Sequence, residues 1–418
     1  MLVENPSFSA TSLWSRISGG ITMPSGFKAS GIRAGLKASG KPDLALLLAP
    51  EGAICVGTFT QSLVRAACVE LCIDRLKTNA GSARAVLINS GQANACTGDR
   101  GLLDSVSATN ALAERLGLRP EEVLICSTGV IGEVIPLEKL ISGLDPLVKE
   151  LSDCGGSAAA TAILTTDLVE KQIAYETYLD GRRICIGGMA KGSGMIHPNM
   201  GTMLGYITCD AGVSSETWTA MVHRVIERSF NSITVDGDTS TNDAFIAFTA
   251  GLPLAHQHLD TLEVGLTLTA QHLAKAIARD GEGANCLLEV QVLGTEADSS
   301  AKTIARTICS SSLVKTAING CDPNWGRIIA AAGRAGVFFL PKQLSLWVGT
   351  YQLIKEGEPL QFDRKAVSVY MKQQMNGAYL NDDSISIILK VGDGAGAAKA
   401  WGCDLSDQYV RINADYTT

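Results

Sequence analysis

The sequence predicts a layered α/β architecture of the α+β class. Apolar runs of strand length and apolar stripes of helical period succeed one another along all 418 residues. They follow no strict strand–helix–strand repeat, so a purely parallel, doubly wound sheet is not expected. The composition, 46% hydrophobic and 18% charged, supplies a large core and excludes a disordered chain.

The elements follow in order. Residues 5–42 contain no Asp or Glu and are rich in Ser, Lys and Arg, as organelle transit peptides are. Glu4, Pro6, Pro24 and several glycines run against that reading, so a cytoplasmic protein is expected, with the organelle matrix as the alternative. "DLALLLAP" (43–50) and "ARAVLINSG" (83–91) read as buried strands. Leu103, Val106, Leu112 and Leu116 suit one helix face, closed by Gly117. Trp218, Met221, Val222, Val225 and Ile226 mark a helix with Ser215 as its N-cap. "LLEVQVLG" (287–294) alternates as a half-buried strand does, and "SISIILKV" (384–391) is a further strand. No linker and no internal repeat marks a domain boundary.

Several function classes fall away. A net charge of −7 argues against nucleic-acid binding, which needs a basic field. No run of about 18 apolar residues predicts a membrane span. The 12 cysteines form no CxxC pair and sit mostly among apolar residues, so buried free thiols in a reducing compartment are expected. Five histidines without ligand spacing make a metal site unexpected. Gly392-x-Gly394-x-x-Ala397 follows a strand, but only about twenty residues remain of the ~30 that a dinucleotide-binding unit needs, so a tight turn is expected. There is no phosphate loop and no GxSxG elbow. Cys209 reads as structural. His223, His256, His258 and His272 read as solvated, and His197 as a weak site candidate.

Glycine-rich polar stretches remain: "INSGQANACTG" (88–98), "CSTGVIG" (126–132), "NSITVDGDTSTND" (231–243), "RDGEGA" (279–284) and "DPNWGR" (322–327). Singly each is an ordinary turn. Together, low in lysine and rich in hydroxyls, they suggest a pocket for a zwitterionic solute. "KGSGMIHPNMGTMLGYITCDA" (191–211) packs four glycines and a proline into an otherwise strand-like run. A threonine hydroxyl is a weak nucleophile without an adjacent base. At a chain N-terminus its own α-amine, with a pKa of about 7.7–8.0, is that base. Self-cleavage between Gly201 and Thr202 would supply such an amine, and glycine permits the strained geometry. The competing reading is a bulged strand.

These segments resemble the ornithine acetyltransferase/glutamate N-acetyltransferase family. The likeness runs from "GGITMPSGFKASGI" at Gly19 to "INADYTT" at Thr418, and includes "LTTDL", "KGSGMIHPNMGTML" and "LVKTAINGCDPNWGRI". It implies the family's fold, that of a self-cleaving N-terminal-threonine acetyltransferase, and two chains, 1–201 and 202–418, that fold together as an α2β2 heterotetramer. It implies acetyl transfer from N2-acetylornithine to L-glutamate through acetyl-Thr202, in arginine biosynthesis. No metal or bound cofactor is implied. Some members also take acetyl-CoA as donor. Thr202 matches the nucleophile, and Thr128 and Gly129 match the oxyanion hole. Thr165, Lys191, Glu282, Asn413 and Thr418 match substrate contacts. Two departures stand out: Gly201 where the family has Ala, which bears on cleavage rate, and Gln92 within "SGQANA" where it has Asn. Neither removes a catalytic group. The rivals are an N-terminal-threonine amidase or aminopeptidase, and a non-catalytic amino-acid-binding protein.

Overall fold

Apolar runs without alternation become strands buried on both faces. The computed structural model describes residues 12–197 and 203–414. A six-stranded sheet comprises β1 (Ser15–Ile17), β4 (Ile54–Phe59), β7 (Lys171–Leu179), β8 (Arg182–Lys191), β9 (Leu204–Cys209) and β10 (Ala244–Thr249), in the order β1-β7-β8-β9-β10-β4. A four-stranded sheet, β2-β3-β5-β6, comprises β2 (Lys28–Ile32), β3 (Leu44–Leu48), β5 (Ala85–Asn89) and β6 (Val123–Ser127). The two sheets pack face to face. Ala45, Leu47, Val86, Ile88 and Leu124 of one meet Leu204, Tyr206, Ile246 and Phe248 of the other.

The outer faces carry helices. Leu44, Leu46, Leu87 and Ile125 point away from the inner layer, toward helices Ala67–Thr78, Gly98–Leu116 and Leu137–Lys149. Ile207, Phe245 and Ala247 point toward helices Ser215–Glu227 and Leu259–Arg279. The result is four layers, helix–sheet–sheet–helix, as the layered reading requires. A third sheet, β14-β13-β12-β15-β11-β16, is built from β11 (Leu287–Thr295), β12 (Ser345–Val348), β13 (Tyr351–Lys355), β14 (Glu358–Pro359), β15 (Ser384–Lys390) and β16 (Gly396–Cys403). One face packs on helices that include Asp298–Cys309 and Arg364–Met375. In β11, Leu288, Val290 and Val292 are buried while Glu289 and Gln291 are half-buried, the alternation expected. After β15 the segment around Gly392 and Gly394 turns directly into β16 with no helix between them, so the turn reading holds.

Some local expectations shift. The helix marked by Trp218 is capped by Ser214, whose hydroxyl accepts from the Thr217 N–H, and not by Ser215. Gly117 does close helix Gly98–Leu116 in the left-handed conformation, at φ 65°. On that helix, however, Leu103 is 62% exposed. The buried face is made of Ser105, Ala108, Thr109, Leu112 and Ala113, because small side chains let neighbouring elements approach closely. All 12 cysteines are free and ten are buried; Cys96 and Cys154 are exposed. Among the described residues no helix is long and apolar enough to cross a membrane.

Candidate active site

The ends of β6, β8 and the helix Leu259–Arg279 converge on one cavity of about 400 Å³. Its walls include Thr128, Gly129, Thr165, Lys191, Glu282 and Asn413, the described residues that the family resemblance nominates for the site. Gly201, Thr202 and Thr418 lie outside the described residues. Met203, the residue bonded to Thr202, lines the cavity.

β6 delivers the oxyanion candidates. It is buried throughout and ends at Ser127, so the chain emerges at Thr128 on a fixed strand end. The Thr128 N–H donates to Asn89 O at 2.9 Å, and Val130 N–H to Gly91 O at 3.3 Å. Gly129 between them has φ 128°, and a Cβ there would lie 2.1 Å from Gly91 O. Only glycine fits, and the Gly129 N–H has no acceptor among the described residues. Gln92, the departure noted above, turns its amide to Leu36 O at 2.9 Å and does not line the cavity.

β8 ends at Lys191, which is 8% exposed. Its Nζ donates to Thr165 Oγ1 at 2.7 Å and to Thr128 Oγ1 at 3.3 Å. A hydroxyl that accepts from an ammonium keeps its own hydrogen to donate, which suits Thr128 to an oxyanion. Burial lowers the Lys191 pKa, opposed by Asp167 with its carboxylate 3.8 Å away.

Asp167 is the hub that the sequence left without a role. Its Oδ1 accepts from Lys171 Nζ at 2.7 Å and from Gly192 N–H at 2.7 Å; its Oδ2 accepts from Thr165 N–H at 3.0 Å. Burial would raise its pKa, but Lys171 and Lys191 outweigh burial and hold it well below the usual carboxylate range. Lys171 also bonds Asp280 at 2.6 Å, just past the end of helix Leu259–Arg279. Two residues on, Glu282 is 7% exposed. Its N–H donates to Ser193 O at 3.1 Å, and its carboxylate accepts from Asn413 Nδ2 at 2.8 Å. A Cβ on Gly194 would lie 2.5 Å from that carboxylate, so glycine there makes its room.

Ser240, Thr241, Asn242 and Asp243 complete one wall. The only signal for them was the hydroxyl-rich "TSTND". Burial raises the Asp243 pKa well above the usual range. His197 does not line the cavity; it contacts Thr234 Oγ1 at 3.0 Å, and burial lowers its pKa to about 4. His272 is half-buried rather than solvated, and burial lowers it likewise to about 4. Among the described residues no group of three or more His, Cys, Asp or Glu is placed to hold a metal ion.

The cavity therefore brings together a threonine hydroxyl and a glycine N–H at a strand end, a buried lysine and a carboxylate. Residues 28–418 match the ArgJ family. The Arginine biosynthesis bifunctional protein ArgJ of Prochlorococcus marinus (strain MIT 9313) is 67% identical over 407 residues, 97% of this chain and 95% of that one. The protein of the same name from Synechocystis sp. is 55% identical over 411 residues, 97% of this chain and 99% of that one. Ornithine acetyltransferase from Mycobacterium tuberculosis, solved with ornithine, is 40% identical over 46% of this chain and 99% of that one, with a TM-score of 0.42. With the match spanning residues 28–418 and full-length relatives identical at more than half of the aligned positions, this chain belongs to the ArgJ family.

Proposed function

We propose that this chain transfers an acetyl group from N2-acetylornithine to L-glutamate in arginine biosynthesis, through an acetyl ester on Thr202. One observation carries the reading: Thr128, Gly129, Thr165, Lys191, Glu282 and Asn413, far apart along the chain, line a single cavity beside Met203. The relatives' shared name, which places them in arginine biosynthesis, supports it.

The chain first cuts itself. The Thr202 hydroxyl attacks the Gly201 carbonyl, the C–N bond breaks as the nitrogen takes up the hydroxyl proton, and water opens the resulting ester. The products are chains 1–201 and 202–418, assembled as an α2β2 heterotetramer. The freed Thr202 amine then takes the hydroxyl proton as the oxygen attacks the acetyl carbonyl of N2-acetylornithine. Thr128 Oγ1–H and Gly129 N–H donate to the oxyanion. Ornithine leaves with that proton. The glutamate amine attacks the acetyl ester in turn and loses a proton to the Thr202 amine, which passes it to the Thr202 oxygen as the ester C–O bond breaks and N-acetylglutamate departs. Lys191 faces the substrate carboxylate and Glu282 its ammonium, with Thr165, Asn413 and Thr418 as further contacts. The steps use no metal or bound cofactor. The relatives are called bifunctional, so we assign acetyl-CoA as a second donor. Twelve free thiols fit the cytoplasm.

An assay of purified protein tests this. N-acetylglutamate should form from N2-acetylornithine plus glutamate, and also from acetyl-CoA plus glutamate. Release of free acetate in place of N-acetylglutamate would favour the amidase reading, which the relatives' names do not support.

A further inference from the structure

The oxyanion candidates and the strand that begins two residues after Thr202 belong to different sheets. Thr128 and Gly129 follow β6 of the four-stranded sheet, while β9 lies in the six-stranded sheet, paired in parallel with β10 from Leu204 opposite Ala244. Catalysis needs the two held at a fixed separation; Lys191 reaches across from β8 to the Thr128 hydroxyl, and Asn242 ties the backbone of the turn itself.

Asn242 lies two residues before β10 and is 6% exposed. Its Nδ2 donates to Ser127 O at 2.8 Å and also to Ala93 O. Its Oδ1 accepts from Thr241 Oγ1 at 2.6 Å, and its own N–H donates to Ser240 Oγ at 3.0 Å. Both amide hydrogens are spent on backbone carbonyls, so although Asn242 lines the cavity it keeps none for a substrate. The two carbonyls bracket the oxyanion turn. Ser127 O belongs to the peptide unit that contains the Thr128 nitrogen. The Ala93 N–H donates to Val130 O at 2.9 Å, on the far side of Gly129.

We propose that Asn242 is a positioning residue, which sets the Thr128–Gly129 donors against the strand that follows Thr202. This rests on the reading of Thr128 and Gly129 as oxyanion donors. Such donors work only at about 2.7–3.1 Å from the developing charge, and a displacement of about 1 Å costs about a hundredfold in rate. An amide is suited to the task because it offers two hydrogens to two carbonyls and carries no charge into a buried seam.

The test compares Asn242→Ala, Thr128→Ala and the double variant, with rates normalised to the fraction of self-cleaved protein. For Asn242→Ala, kcat for acetyl transfer should fall by about ten- to a hundredfold with KM nearly unchanged, and self-cleavage, which passes through a similar oxyanion, should slow as well. Thr128→Ala should lose about a hundred- to a thousandfold in kcat. The double variant should lose less than the product of the two single losses, since Asn242 acts in part through the Thr128 donor. A wild-type kcat in Asn242→Ala, a loss confined to KM, or losses that multiply in the double variant would overturn the proposal. Asn242→Ser, which keeps a polar group, carries the same comparison if the alanine variant does not fold. Failure of the oxyanion reading looks different: Thr128→Ala would then transfer acetyl groups at the wild-type rate.

Discussion

Lys191 shows what burial does to one residue. It is almost fully enclosed, and desolvation lowers its pKa below the ordinary 10.5, with Asp167 pulling the other way. A lysine attracts a carboxylate only while protonated, which is below its pKa. Affinity for a substrate carboxylate should therefore fade as pH rises, and should do so before an exposed lysine would lose its proton. N-acetylglutamate, the reaction product, is a clean probe because it has no titrating amine. Its inhibition constant should rise on the alkaline side, and Lys191→Met should both weaken binding at neutral pH and flatten that rise. An alkaline limb that survives in Lys191→Met would remove the residue from this role.

At the level of elements, the site hangs on strand and helix ends held by a buried charge cluster. Asp167 ties the "LTTDL" turn to the end of β8 and, through Lys171, to Asp280 beyond the helix Leu259–Arg279. The side chains of Asp167 and Lys171 are 0% exposed. Removing one partner of an isolated buried pair costs about 3–5 kcal/mol; because Lys171 keeps Asp280 at 2.6 Å, the loss here falls at the lower end of that range. Asp167→Asn should lower stability in a denaturant melt by that order at neutral pH. The sign with pH follows from the depressed folded pKa of Asp167. Its contribution is complete above the unfolded carboxylate value of about 3.9 and fades as pH falls toward the folded value. The gap between wild type and Asp167→Asn should close in acid. A gap independent of pH would mean that the amide costs stability through packing and not through charge.

On the scale of the whole molecule, the proposed cut falls inside a continuous sheet. β8 and β9 lie on either side of residues 201 and 202 in sequence and pair directly, Lys191 opposite Leu204. β10 pairs with β4, Ala244 opposite Phe59 through Thr249 opposite Ile54. Two ladders of backbone hydrogen bonds thus join residues from before the cut to residues after it, and the inner apolar layer joins them again. The cut protein should run as two fragments on a denaturing gel, the second beginning Thr-Met-Leu-Gly, yet elute as one species from a native sizing column. Thr202→Ala should remain one uncut chain without transferase activity. Wild-type protein that transfers acetyl groups while uncut would end the N-terminal-threonine mechanism.

The sequence by itself determined the layered class, the strands at 43–50 and 83–91, the alternating strand at 287–294 and the left-handed stop at Gly117. Each is set by local chemistry: side-chain period, apolar run length, or glycine's backbone freedom. Its motifs also named Thr128, Gly129, Thr165, Lys191, Glu282 and Asn413. What only the tertiary structure decided is why those residues meet and what holds them. Leu103 reads as core by period yet faces solvent, because packing partners and not periodicity choose the buried face. Asp167 and Asn242 look like ordinary turn residues in the sequence. Their roles come from Lys171, Gly192, Asp280, Ser127 and Ala93, brought to them by sheet pairing and layer packing. A hydrogen bond needs its partner within about 3 Å in space, and that distance is fixed by the fold, whatever the separation along the chain.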